Sequence, residues 1–187
     1  MDIEKIISER IIAILPVYLP MKGNCTTFIT LQGGNYEVNK TVKAVLRQMS
    51  SYFLVDLNHI KAYYGSLLNV KNLIPIPFNK DNVFIPIKVR KPISRNDGSI
   101  GYINIDHIKK VSRIDERAKI LLTNSSTIDS LNTVETVNKH IKNGNIVKQL
   151  INERNQTYIY DQYDRPATKG DVVMIINEIL RIRETIK

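Results

Sequence analysis

The amino-acid sequence predicts a strand-rich α+β fold. Apolar runs rich in β-branched residues, each ended by Gly, Pro, Asn or Asp, recur through the first two-thirds of the chain. Amphipathic helices are predicted near residues 41–53 and near residues 168–186, so strands, a helix, more strands and late helices follow one another. With 187 residues and 43% hydrophobic content, the chain can bury a core as one domain or as two small ones.

Three strands are predicted ahead of the first long helix. Residues 11–19 are rich in Ile, Leu, Val and Tyr, and Pro16 among them requires an edge position or a bulge. Residues 26–31 form the second strand, which ends at the Gly33–Gly34 turn signal, and residues 36–38 form a short third.

The helix near residues 41–53 begins at Thr41, a residue type that favours the N-cap. Lys43, Arg47 and Gln48 fall on its polar face. Its apolar residues recur at helical spacing, which indicates core packing far more often than cofactor binding; they are Val42, Val45, Leu46, Met49 and Phe53.

Two hairpins are predicted further along the chain. The first joins residues 73–78 to residues 83–89 around an Asn-Lys-Asp-Asn turn. The second joins residues 108–114 to residues 119–123 across an Asp-Glu pair.

The segment from 91 to 99 is the best loop or linker candidate, because it contains Pro92, Asn96, Asp97 and Gly98. It divides the chain into a predicted N-terminal strand, helix and hairpin unit, residues 1–92, and a second β unit with C-terminal helices, residues 99–187. In the alternative arrangement both parts pack as one domain.

Helices are predicted for the last third of the chain. Two weaker ones occupy residues 134–141 and 146–153, and the strongest occupies residues 168–186, where Thr168 and Asp171 suit the N-terminus. The apolar residues of this last helix predict a buried stripe: Val172, Ile175, Ile176, Ile179 and Ile186.

A short sequence repeat suggests two related small β units. Residues 55–61 (VDLNHIK) match residues 103–109 (INIDHIK) at a constant offset of 48 residues, and every aligned pair is identical or chemically similar. A period of this length is typical of a duplicated supersecondary unit. The repeat predicts that each copy is a strand ending at a turn, which carries His59 in one copy and His107 in the other.

The charge balance is the unusual quantity in the composition. Lys and Arg number 27 against 18 Asp and Glu, which gives a formal net charge of +9. Such a surplus raises the local concentration of polyanions, and nucleic acid is the commonest partner of this kind. A solvated basic surface without a partner is the competing interpretation.

The positive charge concentrates between residues 88 and 119, where nine cations oppose four acids. Strand alternation places Lys88 and Arg90 on one face, and it places Lys109, Val111 and Arg113 together on another. Cations at this spacing contact DNA phosphates or enter a minor groove narrowed by A·T-rich sequence. Solubilising lysines on an edge strand are the alternative.

Little in the sequence favours catalysis. Its three histidines, His59, His107 and His140, have no His, Cys or carboxylate at ligand spacing, and no phosphate-binding Gly-rich loop stands out. We therefore expect no enzyme activity, no cofactor and no metal site. Cys25 has no partner for a disulfide, and neither a secretory nor a membrane-spanning segment is found, which favours the cytoplasm.

The order of residues resembles the ComK family of competence transcription factors from about residue 9 to residue 125. The similar segments are residues 11–16 (IIAILP), 36–41 (YEVNKT), 52–53 (YF), 73–76 (LIPI), 84–86 (FIP) and 101–103 (GYI). The resemblance implies a cytoplasmic transcription activator that binds A·T-rich boxes through the minor groove. It also implies action as an oligomer and control by an adaptor–protease system.

The chain departs from that family at the family's central signature, Cys-Arg-aromatic-Phe-Gly-Ser-Ser-Tyr-x-Gly-Arg-Lys. Residues 50–61 (SSYFLVDLNHIK) align with it and keep only the aromatic pair and Lys61. Two arginines and both glycines are lost, and Leu54 takes the position of the first glycine. If that loop contacts DNA in the family, this protein binds DNA differently or more weakly.

A second resemblance is to LytTR-type DNA-binding domains. Residues 51–61 are similar to the core of those domains, which carries a Ser-x-x-Val-Asn-x-x-x-Ile pattern, and residues 101–124 are similar to it again. That family presents loops and strands of a small β-fold to DNA, so a tandem of two such units would account for the repeat.

These observations lead to one hypothesis, a double-stranded-DNA-binding transcription regulator of the competence-factor type that prefers A·T-rich sites. The predicted DNA contacts are Lys61, Lys88, Arg90, Lys91, Arg95, Lys109, Lys110 and Arg113. The alternative is a protein–protein interaction module or inhibitor that docks its basic face on an acidic partner.

Overall fold

The structure, a computed structural model, describes residues 3–93, 97–163 and 168–185. Within them the helices are α1 (Ile3–Ser8), α2 (Val42–Tyr52), α3 (Leu57–Leu67), α4 (Val134–Tyr163) and α5 (Lys169–Thr185). The strands are β1 (Ile11–Leu19), β2 (Gly23–Thr30), β3 (Asn35–Val38), β4 (Ile76–Asn79), β5 (Asn82–Lys88), β6 (Ile100–Asn104), β7 (Ile108–Ile114), β8 (Arg117–Leu122) and β9 (Thr127–Asp129). The predicted α+β, strand-rich class with a C-terminal helix is confirmed.

The strands form two antiparallel sheets. Six of them lie in the order β3-β2-β1-β6-β5-β4, and the other three in the order β7-β8-β9. Both predicted hairpins are present, as β4–β5 and β7–β8. Strand β6 follows the predicted boundary at residues 92–99 but pairs with β1 and β5, so the two sides of that boundary share one sheet. The chain forms two compact units, residues 1–151 and residues 152–187.

The six-stranded sheet is buried on both faces. Along β5, Val83 and Ile85 belong to one hydrophobic cluster, and Phe84 between them belongs to the other. Helix α2 covers the Phe84 face, whereas the three-stranded sheet and α4 cover the opposite face. Each fully buried side chain of this size contributes roughly 1.5–3 kcal/mol, so these two clusters stabilise the first unit.

The prolines of this sheet lie where a strand has one hydrogen-bonded neighbour. Strand β1 pairs with β6 only at Ala13 and Ile14, and Pro16 lies beyond that pairing. Pro86 of β5 likewise pairs with β6 but lies beyond the residues that pair with β4. A missing N–H is tolerated at such positions, as the sequence predicted for Pro16.

The two copies of the sequence repeat adopt different structures, so the prediction of two related β units is wrong. Residues 57–61 begin α3, whereas the second copy passes from β6 through a short 3-10 helix, Ile105–His107, into β7. What the copies share is a cap. The Asp56 carboxylate accepts hydrogen bonds from the N–H groups of Asn58 and His59, and the aligned Asn104 side chain accepts one from Asp106. The repeat therefore encodes the start of a helix. In the second copy this helix ends after one turn, because the chain continues into β7 and pairs with β8.

Residues 134–163 form one helix where two were predicted. Gly144, between the two predicted segments, lies so close to the sheet that a Cβ there would be 2.6 Å from Ile85 Cγ2 and 2.8 Å from Ile105 Cγ2. The glycine lets the helix backbone approach the core and does not interrupt the helix, and this packing outweighs the low helix propensity of glycine.

The predicted burial of the last apolar stripe is also wrong for the described residues. Val172, Ile175, Ile176 and Ile179 are 49–61% exposed. Ile186 lies outside the described residues. The cap predicted from Thr168 and Asp171 is present, since the Asp171 carboxylate accepts from the Thr168 N–H at 2.7 Å. Capping and helical periodicity predicted the helix correctly, but its apolar residues are exposed within the described residues.

Candidate nucleic-acid interface

The basic segment from Lys88 to Lys119 does not form one continuous cationic surface. Arg90 is tied into the fold: its Nε donates to the carbonyl of Gly98 at 2.7 Å, and its terminal nitrogen donates to Asn24 Oδ1 at 2.5 Å. It also pairs with the Asp97 carboxylate, and its side chain is only 17% exposed. These contacts hold the segment after β5 in place and commit Nε and one terminal nitrogen of Arg90 within the fold, and a DNA contact by Arg90 stays a prediction.

Two further cations of the segment form surface ion pairs. Arg113 pairs with Glu135 of α4, and Lys119 Nζ lies 3.4 Å from the Asp129 carboxylate. Exposed pairs of this kind contribute about 0–1 kcal/mol, so a phosphate can replace the carboxylate at little cost.

The lysines at the start of β7 are presented by a bulge. The β7–β8 register shifts between Ile108 and Lys110, so Lys109 and Lys110 are both exposed, while Val111 packs against the core. After the bulge, Val111 and Arg113 lie opposite Ile120 and Ala118 and share one face as expected, whereas the bulge takes Lys109 out of that alternation. Lys88 and Lys91 are exposed. Arg95 lies outside the described residues.

Lys61 lies apart from these residues, in a concave surface between the first two long helices. This α2–α3 groove has a volume of about 500 Å³. Its lining residues are Lys43, Arg47, Ser50, Leu54, Val55, Asp56, Leu57, Asn58 and Lys61.

The groove is electropositive. Lys43, Arg47 and Lys61 are exposed, and within the described residues their side chains form no hydrogen bond or ion pair. The one carboxylate of the groove, Asp56, caps α3, and the hydrogen bonds from the N–H groups of His59 and Asn58 lower its pKa. The groove thus holds three cations whose side chains have no partner in the described residues, and one carboxylate that is already hydrogen-bonded to backbone N–H groups. It can therefore receive an external anion.

Lys43 and Arg47 were not predicted as DNA contacts. The sequence assigned them to the polar face of an amphipathic helix, which is correct, but it contained no indication that this face borders Lys61. The signal that could have found them is the short interval between α2 and α3, residues 53–56, which brings the end of one helix next to the start of the other.

The histidines offer little acid–base chemistry. His107 Nδ1 lies 3.0 Å from Thr123 Oγ1, and burial lowers the His107 pKa, opposed by the neighbouring Asp106 carboxylate. Burial also lowers the pKa of His140 on α4. Nowhere in residues 3–93, 97–163 and 168–185 do three His, Cys, Asp or Glu side chains lie close enough together to hold a metal ion.

Among the helices that the structure describes, none is both long and apolar enough to cross a membrane. Comparison with protein-family models, with curated proteins and with solved structures gives no match. Function is therefore inferred from the residues and the geometry of the chain itself.

Proposed function

We propose that this protein is a double-stranded-DNA-binding transcription regulator and that the α2–α3 groove is its principal DNA contact. The observation that carries the proposal is the set of three uncommitted cations, Lys43, Arg47 and Lys61, around one concave surface of a chain with a net charge of +9. The exposed side chain of Asn58 in the same groove supplies a neutral hydrogen-bonding group. Lys, Arg, Ser and Asn are the side chains that bind the DNA backbone.

The preference for A·T-rich sites, the role in competence, the cytoplasmic location and control by an adaptor–protease system rest on the ComK resemblance, and we include them in the proposal on that ground. The Lys109–Lys110 pair and the Arg113 guanidinium form a second basic surface.

The test measures binding to an A·T-rich duplex by fluorescence anisotropy over a series of salt concentrations. Log affinity should fall with log salt with a slope of about −0.9 per phosphate neutralised. The triple variant Lys43→Ala, Arg47→Ala, Lys61→Ala should bind more weakly and reduce that slope by about one for each phosphate that is no longer neutralised.

Two double variants serve as controls, each of which removes two positive charges where the triple variant removes three. Lys109→Ala with Lys110→Ala tests the β7 surface, and Lys139→Ala with Lys142→Ala tests exposed lysines of α4. Equal weakening of binding for each positive charge removed at all three places would mean that only net charge matters, and it would contradict the groove as the principal DNA contact. Loss of binding confined to the β7 variant would move the interface to the surface predicted from the sequence.

We also propose that α5 forms the homo-oligomer contact, with a second copy of the same helix as its partner. The exposed residues Val172, Ile175, Ile179 and Ile182 follow at intervals of three, four and three, the spacing of a coiled-coil seam. Glu178 and Arg183 flank this seam at positions that pair across a parallel coiled coil, so the charges are complementary.

Light scattering across a range of protein concentrations tests this contact. The wild-type chain should associate, and Ile179→Asp should remain a monomer because it introduces a charge at the seam. A wild-type chain that stays monomeric at all concentrations would remove the α5 contact from the proposal.

A further inference from the structure

Leu54 protrudes from the α2–α3 groove in an unusual conformation. The residue is 92% exposed, and its backbone is left-handed, with φ of 55°. A β-carbon makes that region unfavourable, and Leu gains nothing there from a local side-chain hydrogen bond, as Asn does. The fold therefore bears a cost at Leu54 and buries nothing in return.

The cost comes from the way α2 ends. The N–H of Val55 donates to the carbonyl of Ser50 at 2.9 Å, and the N–H of Leu54 donates to that of Ser51 at 3.3 Å. These two bonds define a Schellman motif with Leu54 at the left-handed position, where glycine is usual. This chain therefore carries leucine where the backbone conformation favours glycine.

The end of α3 provides an internal comparison. The N–H of Val70 donates to the carbonyl of Gly65 at 2.9 Å, and that of Asn69 donates to Ser66 at 3.2 Å, which is the same motif. Asn69 takes the left-handed position, with φ of 51°, and asparagine is the best-tolerated residue there after glycine. The same chain thus uses a suitable residue at one helix end and an unsuitable one at the other.

We propose that Leu54 is a wedge that enters the minor groove and partly unstacks one base step, while Lys43, Arg47 and Lys61 hold the flanking phosphates. Apolar wedges of this kind kink DNA, and TA steps unstack most readily. Leu54 lies in the lining of the basic groove, so the apolar tip and the cations face one ligand. This inference rests on the proposed function and specifies how that surface acts on DNA.

The test uses the full-length protein and two A·T-rich duplexes of repeated TA steps. In the first, 2-aminopurine replaces adenine in several steps and brightens when unstacked; in the second, dyes at the two ends report bending by energy transfer. Wild-type protein should brighten the first duplex and bend the second. Leu54→Gly should lose most of both signals but only about tenfold in affinity, because the phosphate contacts remain.

Three variants separate the wedge from other effects. Leu54→Gly should raise the melting temperature by about 2 °C, since glycine suits the left-handed position, and this shows that the variant is folded. Leu54→Met keeps an apolar wedge and should retain both signals. Met21→Gly removes a side chain that is also fully exposed at positive φ but lies outside the groove lining, and it should change neither signal.

The outcomes distinguish this inference from the proposed function. If the wild-type protein does not bind duplex DNA, the proposed function fails. If it binds and Leu54→Gly brightens and bends the duplexes as the wild type does, the wedge is wrong and DNA binding stands. If Met21→Gly loses the signals as Leu54→Gly does, the effect is not specific to the groove, and the wedge is again wrong.

Discussion

Helices α2 and α5 have the same kind of sequence and opposite environments. Both follow a threonine that caps the helix, and both carry apolar residues at helical spacing. In α2 the apolar residue Val45 is fully buried, whereas Ile179 of α5 is 57% exposed. The capping and the spacing produced a helix in each case. Burial also required an apolar surface for the stripe to pack on.

The difference lies in what the rest of each unit provides. Residues 1–151 contain a sheet with an apolar face for α2, to which Phe28 and Phe84 contribute. Residues 152–187 contain helix only, as far as the structure describes them. An amphipathic pattern therefore specifies a helix and its apolar face, and the fold of the unit decides whether that face becomes core or stays available to a partner.

Charging the buried helix should have the largest effect. Val45→Asp places a carboxylate in the fully buried cluster, at a cost on the order of 4 kcal/mol or more. Urea denaturation followed by circular dichroism should show a chain that is unfolded or close to it. A variant with the wild-type midpoint would mean that α2 is not packed on the sheet.

The same substitution, glycine to alanine, should change the free energy of unfolding in opposite directions in a packed and in an unpacked helix. Gly144→Ala in α4 places a methyl group 2.6 Å from Ile85 and should destabilise by about 1–3 kcal/mol. Gly170→Ala in α5 meets nothing closer than 3.5 Å and should stabilise its helix by up to about 1 kcal/mol. Thermal melts check both. If both substitutions lowered the melting temperature, or both raised it, the proposed difference in packing between the two helices would be contradicted.

Charging the exposed helix with Ile179→Asp should have a much smaller effect. Because Ile179 is 57% exposed, the free energy of unfolding of residues 1–151 should change by less than about 0.5 kcal/mol in dilute solution. Hydrogen exchange of the β-sheet amides, which reports on that unit alone, is the measurement. Deprotection of the sheet comparable to that of Val45→Asp would show that the stripe is covered within the folded chain.

A pH dependence confined to α5 should be the smallest effect. Hydrogen bonds from the side chain and the backbone N–H of Thr168 lower the Asp171 pKa below its ordinary 3.8. A lowered carboxyl pKa stabilises the helix above pH 3.8, and this contribution is lost as the pH falls through the folded-state value. The helical signal of Asp171→Ala should be lower than wild type near neutral pH and should match it in strong acid. A deficit unchanged by acid would mean that the carboxylate does not act as the cap.

Local signals in the sequence were sufficient for most of the elements. Strand β1 has the predicted bounds, residues 11–19, and Thr41 caps α2 as expected, because strand propensity and N-capping depend on neighbouring residues alone. The repeat at residues 55–61 and 103–109 led to a wrong prediction of two related β units, because it too is a purely local signal. The capping side chains Asp56 and Asn104 are a local signal, and the length of the helix that follows depends on β-pairing far away in the chain.

For the candidate site, the residue types and the excess of positive charge could be read from the sequence, because they follow from composition. Lys61 was also predicted as a DNA contact from the sequence. Its position beside Lys43 and Arg47 could not be predicted, because it depends on the packing of α3 beside α2. The folded chain was needed to show that Arg90 is committed to Asp97 while the groove cations are not. Composition sets how much charge a chain carries, and folding decides which charges neutralise each other and which remain to bind a partner.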